Sequence, residues 1–184
     1  GFTDQPMQRA RLQLVIGDVY VAMGEYARAR SVLEPALQEL ANTGTAPLES
    51  VQALRLLAQV AAAQAANSEA LEHITRAVSM LDAAGLAAPD ERTRLALSQA
   101  RAERERSHFP EAQAALALAR SHARDIVPAD MEVEAAIHTA TADLADEMGD
   151  YDVARREYPL ALSKFSQSIG DDHYRTVAVR TNFG

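Results

Sequence analysis

Apolar and polar positions follow a helical period through this chain, and the clearest stretch is Leu14 to Leu40, LVIGDVYVAMGEYARARSVLEPALQEL. Apolar residues recur there at offsets of three and four, which predicts two amphipathic helices joined by a tight turn at Gly24-Glu25. The same pattern then returns. The small residue of the first helix falls at Gly17, Ala58, Ala100, Ala142 and Gly184, with gaps of 58−17 = 41 and then 42, 42 and 42. A second small residue falls at Ala29, Ala70, Ala112 and Ala154. A bulkier residue follows each at Leu33, Ile74, Leu116 and Tyr158, and a further alanine at Ala36, Ala77, Ala119 and Ala161. Three marks in phase over four copies define a repeat of about 42 residues.

The periodicity predicts nine helices. First helices run near 6–23, 47–65, 88–106, 130–148 and 174–183, and second helices near 26–41, 68–83, 110–124 and 151–168. Every segment between repeats carries Gly or Pro. Asn42-Thr43-Gly44 and Ala84-Gly85 read as C-terminal caps, and Pro47, Pro89 and Pro128 sit where a new helix can start. Pro35 and Pro159 fall inside second helices and should bend them. One helix pair cannot bury its own apolar face, so the pairs should stack on one another. The fold expected is all-α, a single α-α solenoid with repeats over about 10–43, 51–84, 93–126 and 135–168 and a truncated fifth from 177. The last helix carries Val177, Val179 and Phe183, part of which should pack back while the rest face a missing neighbour. From this we expect the parent protein to continue with more repeats, and the exposed end of this segment to fray or to meet another copy end to end.

Ile16-Gly17, Tyr20, Gly24, Tyr26, Ala29, Leu33 and Ala36 stand at the offsets of a tetratricopeptide repeat. The chain resembles that family, and the 42-residue spacing is similar to its kinesin-light-chain type. Gly170-Asp171-Asp172-His173 followed by Arg180-Thr181-Asn182-Phe183-Gly184 is similar to that type's inter-repeat segment. The opening Asp4-to-Ala29 stretch also looks like repeat regions attached to bacterial serine/threonine kinases and transcriptional regulators. The resemblance implies a right-handed α-α superhelix (a TPR solenoid) that binds a protein or peptide in its concave groove, within a larger signalling protein. The alternative it leaves open is a regulatory sensor that holds a small ligand or signal peptide and controls an attached kinase or transcription-regulator domain.

Composition narrows the classes. The formal net charge of −8 argues against nucleic-acid binding, which needs a basic face. It argues equally against docking on anionic lipid. Aromatics are only 5% and alanine supplies much of the apolar quota, a composition that favours helix. With no cysteine, disulfides and Cys-ligated zinc are out of reach. No apolar run reaches the roughly 18 residues that span a bilayer. A cytoplasmic location is expected for this segment, although the parent protein could carry a membrane anchor elsewhere.

Candidate chemistry is sparse. His73, His108, His122, His138 and His173 form no zinc-protease pattern, and Gly170-Asp171-Asp172-His173 is a weak metal motif. No P-loop or nucleophile elbow is present, so we expect no enzyme, no metal and no cofactor. The resemblance places the groove wall on the first helices and yields seven candidate peptide-binding residues: Arg55, Gln59, Arg94, Arg101, Arg104, Asp143 and Asn182. Arg94, Arg101 and Arg104 share one helical face and suit carboxylate-bearing segments through forked guanidinium contacts. The competing reading pairs Arg101 and Arg104 with Asp143 and Asp146 of the next repeat, as solvated ion pairs worth little.

Overall fold

The structure is a computed structural model that describes residues 4–44 and 46–183. Among the described residues there are nine helices and no strand: α1 (Asp4–Ala22), α2 (Tyr26–Thr43), α3 (Pro47–Ala63), α4 (Asn67–Ala83), α5 (Pro89–Glu105), α6 (Phe109–Ala123), α7 (Met131–Glu147), α8 (Tyr151–Ile169) and α9 (Tyr174–Phe183). The expected boundaries hold to within two residues at each end. Gly184, the expected fifth small mark, lies outside the described residues.

Each helix pair is closed by the same turn. Gly24, Ala65, Ser107 and Gly149 occupy it in turn, all with positive φ, from +59° to +78°. The next residue's N–H reaches back to the carbonyl five residues earlier: Glu25 to Tyr20, Ala66 to Ala61, His108 to Glu103 and Asp150 to Ala145, at 2.8–2.9 Å. This doubly bonded C-terminal cap satisfies carbonyls that the helix end leaves open. The following helix then opens with Ala29, Ala70, Ala112 and Ala154 donating to the carbonyls of those same residues.

Caps between pairs vary more. Gly44 ends α2 at φ +62°, its N–H on the Leu40 carbonyl. Gly85 lies one residue past the cap Ala84, also left-handed, and Leu86 N–H donates to the Leu81 carbonyl. Pro47 and Pro89 each begin a helix, as expected. Pro128 does not: α7 begins at Met131, because Asp130 accepts the N–H groups of Glu132 and Val133 and so sets the start. α2 and α8 run through Pro35 and Pro159.

The chain divides into two compact units, Gly1–Glu91 and Arg92–Gly184, with the division in the first turn of α5. In the first, α1 packs on α2, α3 on α2 and α4, and α1 also meets α3. Ala29, Leu33, Ala36 and Leu40 of α2 are enclosed by Ala10 and Leu14 of α1 and by Ala53, Leu56, Leu57 and Val60 of α3. A Cβ on Gly17 would fall 2.4 Å from Leu33 Cδ2, which is why the small mark must be small there. In the second unit, Ala100 lies in one cluster with Leu116, and Ala142 in one with Tyr158. α6 packs on α7, α7 on α8 and α8 on α9. Consecutive helices packed pairwise within each unit are consistent with an α-α solenoid. On α9, Thr176 and Val179 are buried, whereas Val177 and Phe183 remain exposed.

Candidate functional site

Ionic contacts bind successive first helices, and three of the seven candidate residues, Arg55, Arg94 and Arg104, belong to them. In the first unit Arg55 is buried on α3, its Nε donating to Glu91 Oε2 at 3.0 Å. Gln59 lies one turn further along the same helix and is half-buried. Removing either partner of this largely buried pair would strand the charge of the other.

The second unit holds the remaining five. α5 buries Thr93, Leu95, Ala96, Ala100, Ala102 and Glu103, while Arg101 is exposed and Arg94 and Arg104 are half-buried at the edge of that face. Arg94 Nη2 lies 3.8 Å from Asp130 Oδ2 at the start of α7. Arg101 Nε donates to Glu105 Oε1 at 2.7 Å, one turn along its own helix. Arg104 Nη1 donates to Glu147 Oε1 of α7 at 2.6 Å. The expected pairing of Arg101 and Arg104 with Asp143 and Asp146 is therefore corrected. Glu105 lies one helical turn from Arg101 on the same face, Glu147 stands next to Asp146 on α7, and these two carboxylates take the guanidinium groups.

Asp143 is engaged elsewhere. Its Oδ1 accepts the Tyr158 hydroxyl at 2.8 Å and the Asn182 amide at 3.4 Å. Burial, and then the hydrogen bond to the Asp143 carboxylate, push the Tyr158 phenol above its usual range, so it stays a donor. Phe183 covers the Tyr158 ring, with centroids 5.8 Å apart and planes tilted by 48°. Asp146 and Arg104 are both near enough to act on Tyr158 electrostatically. The structure thus brings together Arg104, Asp143 and Asn182, and adds Glu147, Tyr158 and Phe183, which the sequence reading did not select. A signal for Tyr158 existed: Leu33, Ile74 and Leu116 fill its register position, and only here does the bulky residue carry a hydroxyl that needs a partner.

Chemically the cluster offers alternating donors and acceptors on exposed helix faces. Arg101 is the most exposed of the three candidate arginines on α5, with more than half of its side chain in solvent, and its partner Glu105 lies one turn away. Among the described residues no group of three His, Cys, Asp or Glu side chains is placed to hold a metal ion. No helix among them is long and apolar enough to cross a membrane.

A sequence comparison with curated proteins gave no match. A family model does match, over residues 3–167, and it is described as the Suppressor of spindle checkpoint defect 1 C-terminal domain. It is not a tetratricopeptide family, so that resemblance, and the bacterial signalling setting read with it, are corrected. The physical reason is that small residues facing bulky ones every 42 positions are what any stacked helical hairpins need to approach closely. Those offsets report packing, and packing is shared by unrelated lineages. By the match over most of its length, the chain belongs to the Suppressor of spindle checkpoint defect 1 C-terminal domain family.

Proposed function

We propose that this domain is a protein-interaction scaffold, and that the second unit takes an acidic or carboxylate-bearing segment of a partner against α5 and α7. The observation that carries this reading is Arg101. Its guanidinium is exposed and is held, among the described residues, by Glu105 of its own helix. Such an i,i+4 pair is worth only a few tenths of a kcal/mol, so an incoming carboxylate can displace it at little cost. Arg104 beside it is anchored by Glu147, and Asn182 presents an amide at the edge of the Asp143 cluster. The family description speaks of suppressing a defect and names no catalytic activity. A small-ligand sensor finds less support: the depression bounded by Arg9, Gln13, Glu34, Pro35 and Glu39 on α1 and α2 is shallow and open to solvent rather than enclosed.

The test is a peptide-display selection on the immobilised domain, followed by anisotropy titration of the enriched peptides. Peptides rich in Asp or Glu should emerge, and Arg101→Glu with Arg104→Glu should weaken them about tenfold or more. Arg28→Glu serves as control, because that side chain is exposed on α2 and is not among the candidates. Equal binding by wild type and the double variant would remove the proposal.

A further inference from the structure

α1 is apolar on two sides. One side packs into the first unit through Ala10 and Leu14. The other carries Leu12 (60% exposed), Val15 (60%), Ile16 (37%), Val19 (51%) and Met23 just beyond the helix (67%). Offsets of three, four, seven and eleven line these up as one stripe along the helix. A contiguous apolar stripe of this length is unusual on a solvated face and marks a contact surface.

The repeat itself tells what kind of contact. Moving on by the 41-residue gap, Leu12, Val15, Ile16 and Val19 become Ala53, Leu56, Leu57 and Val60 of α3. All four of those are buried, packed in the cluster formed with α2. The stripe on α1 is therefore a helix-packing face of the same make, left exposed among the described residues.

We propose that a second copy of this chain covers it, α1 against α1 in antiparallel sense about a two-fold axis near Val15. Charge points to this occupant. Arg11 and Asp18 are seven residues apart, so they lie on one flank of the stripe, and both are exposed. In a two-fold antiparallel pair like flanks meet, and each copy's Arg11 stands opposite Asp18 of the other. Arg11 directs Nε and one Nη to Glu49 Oε1, at 3.0 and 2.7 Å, which leaves its other amino group for that contact. The apolar positions match as well: Leu12 meets Val19, and Val15 meets its own symmetry mate. This inference is independent of the binding face on α5 and α7.

The chain has no cysteine, so single-cysteine variants report the geometry directly. Under mild oxidation Val15→Cys should give a disulfide-linked dimer within the time a monomeric control takes to show none. Met23→Cys should not, because an antiparallel pair centred near Val15 separates those two sites by about 24 Å along the axis, against a disulfide limit of about 7 Å. Sedimentation velocity should show a concentration-dependent dimer. Val15→Glu should abolish it with unchanged helical dichroism, since the side chain is exposed. Arg11→Asp and Asp18→Arg should each weaken the dimer, and the double exchange should restore it. A monomer at every concentration overturns the proposal, as does equal crosslinking at Val15→Cys and Met23→Cys. A dimer that survives Val15→Glu overturns it too, because the contact would then lie elsewhere.

Discussion

Ala65 and Ser107 sit where the first and fourth pairs use glycine, with φ of +59° in both. A side chain in the left-handed region costs about 1–2 kcal/mol, whereas glycine adopts it freely. The cap hydrogen bonds are equally short in all four copies, so the turn is enforced by the helices around it and the strain is borne locally. Glycine at either site would relieve that strain but enlarge the unfolded ensemble by about 0.4–1 kcal/mol. Ala65→Gly and Ser107→Gly should therefore each raise stability by about 0.5–1 kcal/mol, read as a higher urea midpoint with unchanged slope. A lower midpoint would mean that the left-handed geometry is not strained. The sequence carried this feature in plain sight, since residues 24, 65, 107 and 149 keep the repeat spacing. The alternation of Gly, Ala, Ser and Gly concealed it, because only glycine announces a left-handed turn.

At the scale of an element, α4 buries Ala70, Ile74, Ala77 and Leu81 and carries His73 on its flank. The imidazole is largely buried, and neither ring nitrogen has a hydrogen bond; Glu69 Oε1 is 3.5 Å from Nε2. Burial depresses the His73 pKa below the ordinary 6.5, opposed by Glu69 and reinforced by Arg76 and Arg30. The sign follows from the proton count. Below 6.5 the unfolded chain takes up a proton that the folded chain refuses, so stability is full above that pH and is lost as pH falls toward the lower folded value. Glu69 itself is held below the usual carboxylate range, first by hydrogen bonds from Arg30, so its own loss comes at lower pH. Urea midpoints at pH 7.5 and 5.5 should drop for the wild type and drop less for His73→Gln. Parallel behaviour of the two proteins would show that His73 protonates equally in both states. The sequence placed His73 among five histidines of similar standing, and only the packing around α4 singles it out.

For the molecule as a whole, the division at Glu91 carries a consequence for how damage spreads. In stacked repeats each hairpin is stabilised by its immediate neighbours. Ala112 is buried among Ala100, Ala115, Leu116 and Leu144, all in the second unit. Ala112→Leu should overpack that contact and cost roughly 1–3 kcal/mol. Amide exchange should quicken across Arg92–Gly184 while α1 to α4 keep their protection. Uniform acceleration across both units would mean that they unfold as one.

The helices, their ends and the buried alanine marks were determined by sequence alone, because period, caps and small-to-large spacing are local properties that repeat four times over. The family was not legible in them, since the offsets that suggested one lineage are a packing requirement common to stacked hairpins. Nor were the partners of the arginines. Arg101 meets Glu105 of its own helix and Arg104 meets Glu147 of α7, a choice set by how the helices lie and not by the repeat register that pointed to Asp143 and Asp146. That Asp143 binds Tyr158 and Asn182 depends on three helices converging, at sequence separations of 15 and 39 residues. The exposed stripe on α1 shows the same limit from the other side. α1 is apolar on two faces, and the sequence cannot say which of them a helix buries; only the placement of α2 and α3 decides that Ala10 and Leu14 go inward while Leu12, Val15 and Val19 meet water.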